Sequence, residues 1–317
     1  MEVCHVPHQI ETACEAHPHF LKAGLLRDAA AAGYTGELFR WSNKVPSLMT
    51  LSSAFPLRPR PIGRVNWLGL WVLIGKETGR FLKVYAQTIL APVITTILFY
   101  IVFAFALGGN RRSMGGIPYL SFLAPGLIMM SMAQNAFANT SSSLVISKVQ
   151  GNIVDVLMPP LSAFELTAGY TIGGIARGLA VGVVSIGCLA AFTDMSVYGL
   201  PYVLYHAVMG SMMLALMGVI GGLWSEKFDH MAAVQNFIVM PATFLSGTFY
   251  TADRLPGGWR LLCHLNPFFY MIDGFRYGFI GESDGTLHVG LLVMAFVNAA
   301  LLWGSYRLIA SGYKLKS

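Results

Sequence analysis

Apolar residues run along this chain in blocks too long for a soluble core. Tyr85 to Leu107, YAQTILAPVITTILFYIVFAFAL, contains no charged residue. A hydrocarbon core of about 30 Å needs about 20 apolar residues at 1.5 Å of rise each. Similar blocks recur near 117–139, 166–192, 201–224, 232–250 and 288–310, which predicts six transmembrane helices. The expected fold class is an all-α polytopic membrane protein. Two connections, 140–165 and 251–287, are too long for simple turns. The second is rich in aromatics yet broken by Gly and Pro. That pattern predicts external re-entrant helices, whose irregular backbone must be covered by protein or water.

Ahead of the first block, VNWLGLWVLIGKETGRFLK (65–83) sets Trp67 and Trp71 four residues apart, then Lys76, Arg80 and Lys83. The pattern predicts an N-terminal interfacial helix with its tryptophans at headgroup level. The Pro-rich PLRPRP (56–61) cannot continue it. Residues 49–84 are thus a linker and cytosolic connecting helix, and 85–317 the membrane domain. Lys76, Arg80 and Lys83 precede the first span, and Arg307, Lys314 and Lys316 follow the last. The positive-inside bias puts both termini in the cytoplasm, although Arg111 and Arg112 run against it.

Composition agrees: 55% of the 317 residues are hydrophobic and 11% charged, against about 25% charged in a soluble domain. The net charge of +6 reads as cytoplasmic Lys and Arg, with no nucleic-acid partner. Residues 1–48 differ, mixing His5, His8, His17, His19, Cys4 and Cys14 without metal-site spacing. They read as a disordered extension, with Met49 resembling a natural start, and no metal site is expected. Cys188 and Cys263 have no disulfide spacing.

Few residues suggest chemistry. Gly75-Lys76 echoes a phosphate loop, but Glu77 stands where Ser or Thr would hold magnesium. No catalytic constellation is evident around His206, His264 or His288. SKVQGNIVDVLMPPLSAFE (147–165) predicts a short helix opened by Gly151-Asn152 and stopped by Pro159-Pro160. With Ile153, Val154, Val156 and Leu157 around Asp155, it is shaped for docking a partner or for lying on headgroups. Arg177 stands in an apolar run and is expected to pair with an acid such as Glu77, Asp155 or Glu165, to line a path, or to snorkel from the cytosolic third of its span. Gly169, Gly173, Gly174, Gly178 and Gly182 recur at helical spacing and predict close helix packing. Gln134, Asn135 and Asn139 either line a polar route or bond between helices. The methionines of the second and fourth blocks, Met129, Met130, Met132, Met209, Met212, Met213 and Met217, read as lipid-facing filler.

The segment 246–281 carries a more specific pattern: Ser246-Gly247, Phe249-Tyr250, Leu255-Pro256, Asn266-Pro267, Tyr270 and Phe275-Arg276-Tyr277-Gly278. It resembles the signature region of ABC-2 type transporter permeases, the drug and lipo-oligosaccharide exporter branch in particular. VNWLGLWVLIGKETGRFLK and GYTIGGIARGL resemble the family's connecting helix and third span, and the likeness covers residues 62–317. The resemblance implies a bacterial inner-membrane permease working as a homodimer on a partner ABC ATPase, which binds ATP and magnesium; this chain itself holds no cofactor and is no enzyme. It implies a coupling helix around 147–161, with Gln150, Gly151, Asn152, Asp155, Leu157, Pro159 and Pro160 in the docking role. Lys76, Glu77 and Arg80 on the connecting helix would also meet the ATPase. Asn266, Pro267, Tyr270, Phe275 and Arg276 would shape the exit for an amphipathic or lipid-linked substrate. The GNIVDVL stretch of the coupling segment departs from the more strongly charged family pattern, having Asp155 as its one charge. The alternative class is a stand-alone channel or secondary transporter, which should show paired midplane acids or inverted repeats.

Overall fold

A computed structural model describes residues 63–106, 113–114, 117–193, 195–251 and 255–315. The expectations for residues 1–48, most of the linker, Arg111, Arg112 and Lys316 lie outside these residues. Among the described residues the regular structure is helical apart from one two-residue antiparallel pairing, β1 (Ser113–Met114) with β2 (Ile117–Pro118).

Helix α1 (Trp67–Lys83) starts at Asn66, whose Oδ1 accepts from Gly69 N. A π-turn, Ala86–Leu90, joins it to α2 (Ala91–Ala106). Leu73 packs on Gly169 and Glu77 on Gly173, so α1 runs beside the first turns of the third long helix rather than lying across it. Its outward face still presents Trp67 and Trp71.

Helix α3 (Tyr119–Val149) has 31 residues and spans about 46 Å at 1.5 Å each. The second span was expected to end near 139. It continues to Val149, with Ser141 and Ser147 donating to the carbonyls of Phe137 and Ser143, four residues back, so that their hydroxyls are satisfied inside the buried helix. A run that reads as a polar loop is thereby a buried helix. Fully 83% of its apolar window is buried, against 17% for α2 and for the last long helix, so α3 is the centre of the bundle.

Helix α4 (Ile153–Leu157) follows, then α5 (Ala163–Leu189), opened by a capping box between Ser162 and Glu165. The glycine stripe of α5 does what its spacing predicts. A Cβ at Gly174 would lie 2.7 Å from Ala215, and at Gly178 2.7 Å from Ser211. Helix α6 (Leu200–Trp224) packs on α3 as closely: Gly218 sits on the Phe137 backbone, and Thr140 Oγ1 donates to Ala215 O at 2.8 Å.

The fifth expected span departs from its block. It forms α7 (Phe228–Val234), a π-turn (Gln235–Val239) and α8 (Met240–Phe244). Seventeen residues cover about 25 Å, short of the hydrocarbon core. Pro241 sits at the π-turn's exit and Gly247, at φ +74°, ends the run. Five helical stretches, Ala86–Ala106, α3, α5, α6 and α11 (Leu287–Ala310), are long and apolar enough to cross a membrane. The broken helix nevertheless carries the chain between the ends of the bundle. Ser225 O accepts from Lys148 at one end of α3, and Thr248 meets Gly126 near the other.

Helices α9 (Gly257–Leu265) and α10 (Pro267–Ile280) occupy the expected re-entrant segment. The methionines are a correction. Met129, Met132 and Met213 are 0–2% exposed and belong to the main core with Phe137, Phe268 and Phe275. They fill the irregular gaps between α3, α6 and α10 instead of facing lipid.

Candidate functional site

The end of the bundle that carries α4 is built as a platform. Ile153 and Val156 of α4 are buried against Leu144, Leu166, Tyr170, Leu223, Ile309 and Leu315. Val154, Leu157 and Met158 stay exposed on its far face, with Asp155 beside them. Gly151, at φ +74°, makes the turn from α3 that a side chain would strain. Gln150 and Asn152 are exposed at that turn. Pro159 and Pro160 carry the chain off, and Asn66 Nδ2 of α1 donates to Pro160 O at 3.2 Å. Between α1 and α4 lies a groove of about 250 Å³, lined by Leu68, Val72, Lys76, Asp155, Val156 and Pro159.

Two connecting-helix residues turn away from this surface. Glu77 is fully buried, accepting from Ser143 Oγ at 2.7 Å and pairing with Arg80 at 3.3 Å. Arg80 reaches inward to Asn139 O at 2.6 Å, Asn139 Oδ1 at 3.0 Å and Ser142 Oγ at 3.2 Å. Of Lys76, Glu77 and Arg80, only Lys76 is presented outward. Asn139 is likewise a partner of Arg80, away from any open route.

Lys148 marks the junction of α3 and the α4 turn. Its Nζ donates to Gly222 O at 2.9 Å, to Leu223 O and to Ser225 O at 3.1 Å. These are the free carbonyls at the end of α6. Lys314 adds a bond to Trp224 O at 3.2 Å and pairs with Glu226 at 2.7 Å. The Lys314 ammonium holds the Glu226 carboxyl below its ordinary range, and Glu226 raises Lys314 in turn.

Deeper in the bundle a cleft of about 310 Å³ opens between α2, α3 and the broken helix. Its polar lining is neutral: Gln87, Thr95, Ser131, Gln134, Asn135 and Gln235. Phe99, Leu127 and Met130 supply an apolar wall. Gln87 and Gln235 come from the two π-turns, backbone irregularities that often mark functional sites. Among the described residues Arg177 finds Asn135 Oδ1 at 2.9 Å and no carboxylate. The expected pairing with Glu77, Asp155 or Glu165 is corrected: Glu77 is spent on Arg80, Asp155 is exposed, and Glu165 accepts from the backbone of Ser162 and Asn66.

At the opposite end the signature residues hold α10 in place. Asn266 caps it by accepting from Phe268 N at 3.1 Å and donates to Ala242 O at 2.6 Å. Pro267 fills the first helical position, where no N–H is needed. Arg276 is 3% exposed, stacks 3.7 Å over Phe122 and donates to Gly247 O at 2.7 Å. Phe275 is core, and Tyr270 is half-buried against Phe269. Asp273 went unremarked in the sequence, although an acid three residues before Arg276 in an apolar run is a signal. It accepts from Ser283 Oγ, Asp284 N and Gly285 N, closing the turn into α11.

A profile of the ABC-2 type transporter matches residues 69–280. The inner membrane transport permease YadH of Escherichia coli K12 is 39% identical over 253 residues, covering 79% of this chain and 98% of that protein. The chain belongs to the ABC-2 type transporter family. Nodulation protein J of Neorhizobium galegae is 24% identical over 254 residues, covering 76% of this chain and 94% of that protein. The same protein of Rhizobium meliloti is 21% identical over 241 residues, with 74% and 88% covered. As an ABC-2 member the chain is a transport permease, a membrane component of a kind that pairs with an ABC ATPase. The matched range takes in α4, the residues lining the cleft, and Arg276.

Proposed function

We propose that this chain is the permease subunit of an ATP-driven exporter in a bacterial inner membrane, with both termini cytoplasmic. The observation that supports it best is the platform: exposed Val154, Leu157 and Met158 on a helix whose other face is seated in a core shared by α3, α5, α6 and α11. A push on α4 from a partner would reach four spanning helices at once. The ATPase subunit binds ATP and magnesium and docks on α4 with the α1 groove beside it. Gln150, Gly151, Asn152, Asp155, Leu157, Pro159 and Pro160 frame that contact, and Lys76 extends it. Two copies of the permease form a homodimer, and an amphipathic or lipid-linked substrate moves outward along the amide-lined cleft. The α10 segment, with Asn266, Pro267, Tyr270, Phe275 and Arg276, shapes the exit.

The test is co-purification of an ATPase with the tagged full chain in mild detergent. Val154→Arg with Leu157→Arg alters only the outward face of α4, so the fold is expected to persist. Loss of the ATPase from this variant, with the permease still folded, supports the reading. An ATPase absent even from the parent complex would favour a stand-alone channel or secondary transporter.

A further inference from the structure

Arg177 stands 14 residues into the 27-residue helix α5, about 21 Å along a rod of about 40 Å, so it cannot reach either end of the bundle by snorkelling. Guanidinium does not lose its proton in proteins. A charge at such depth costs several kcal/mol unless something compensates it. Among the described residues, the local charges are Arg80 and Arg177 against the single carboxylate of Glu77. Glu77 is consumed by Arg80 and Ser143. The charged side chain acting on Arg177 is Arg80, which has the same sign. Its neutral partner is the Oδ1 of Asn135, and its Nε is buried without an acceptor.

Asn135 is also a wall residue of the cleft, with Ser131 one turn away. Its Nδ2 is already committed to Ser131 O at 2.9 Å. The amide is therefore fixed with its oxygen on the guanidinium. Arg177 lies one hydrogen bond behind a cleft wall made of neutral donors and apolar side chains. Among the described residues no carboxylate lines the cleft, so the Arg177 cation behind its wall has no counter-ion there.

We infer that the cleft is a subsite for an anionic group, a phosphate or a carboxylate, carried by the transported amphipath, with Arg177 as its counter-charge directly behind the wall residue Asn135. The apolar wall of Phe99, Leu127 and Met130 takes the adjoining hydrocarbon. This assignment rests on the permease reading above and names the substrate class for its cleft. A bilayer lipid headgroup carries the same chemistry, and the experiment separates the two sources.

The permease with its ATPase partner is placed in nanodiscs of phosphatidylcholine. Two fluorescent probes of equal chain length are titrated: lysophosphatidic acid, anionic, and lysophosphatidylcholine, zwitterionic. The parent is expected to prefer the anionic probe by about tenfold or more, as charge-assisted hydrogen bonds require. Arg177→Gln should level the two probes, and Arg177→Lys should keep most of the preference. Asn135→Asp should also level them, because it gives Arg177 an internal carboxylate while leaving the cation in place. That variant decides the matter if Arg177→Gln does not fold. No preference in the parent, or an undiminished one in Asn135→Asp, overturns the inference. Adding about 20% phosphatidylglycerol to the disc supplies competing anionic headgroups; displacement of the probe would assign the site to bilayer lipid and overturn the substrate assignment. Failure of the permease reading itself shows earlier and separately, as a parent chain that brings down no ATPase.

Discussion

Gly173 has no room for a side chain: a Cβ there would lie 2.5 Å from that of Glu77. Gly173→Val should push α1 off α5 and lower stability by about 1–3 kcal/mol, the usual penalty for overpacking. Gly187→Ala on the same helix meets nothing within 4 Å. It should instead be neutral or gain up to about 1 kcal/mol of helix propensity. Thermal unfolding of both variants in one detergent checks the pair. Asp273→Asn should cost about 1–3 kcal/mol, since an amide cannot accept from all three of Ser283, Asp284 and Gly285. This is also the scale at which the sequence was hardest to read. Glu77 sits between two basic residues on a helix with an exposed face, which looks like a docking charge. Its burial depends on Gly173 and Ser143, 96 and 66 positions away, and no local pattern announces them. Arg276 was legible as special from its motif, but not as a tether to Gly247 and Phe122.

Helix ends decide how the platform is held together. The last carbonyls of α6 are capped from outside by Lys148 and Lys314, one from α3 and one from the chain after α11. Lys148→Met should free those carbonyls and speed amide exchange through residues 222–228, while the deep core around Phe137 stays protected. The Glu226–Lys314 pair adds a pH limit. Glu226 is held below its unfolded value of about 4.3. Its contribution is therefore complete above that value and disappears as pH falls through the lower folded one. Lys314 is raised, so its share persists below about pH 10.4 and is lost only above its higher folded value. Protection at residues 311–315, after division by the intrinsic pH-dependent exchange rate, should be flat from about pH 5 to 10 and should fall below about pH 4. At the scale of elements the sequence was largely readable. Long apolar blocks, the Ser162–Glu165 box and the Asn266-Pro267 start all mark helices where they occur. The exceptions were α3, whose serines bond back into the helix and hide its last three turns, and the fifth block, where a π-turn and Gly247 shorten an apolar stretch that looked continuous.

The two sparsely buried spans, α2 and α11, lie at the margin of the bundle, so each must face either lipid or another copy. They differ in what accompanies them. Beside α2 runs the amide-lined cleft, open on one side, and the broken helix that closes it exposes Phe237 at 82% and Ile238 at 53%. Ile94, Leu98 and Phe105 of α2 are exposed as well. The amphipathic substrate proposed above calls for a covered path, and a cleft becomes one when a second copy covers it. On α11 the exposed residues include Leu292, Phe296 and Trp303, none of which lines that cleft. The homodimer reading therefore puts α2 and the broken helix at the subunit contact and leaves α11 to lipid. Single cysteines distinguish the two faces in native membranes, once Cys4, Cys14, Cys188 and Cys263 are replaced. Leu98→Cys or Phe237→Cys should cross-link to its own copy with a short bifunctional reagent, and Phe296→Cys should stay monomeric under the same conditions. Cross-linking through Phe296→Cys alone would place the contact on α11, leave the cleft open to the bilayer, and turn the proposed path from a shared lumen into a lateral groove.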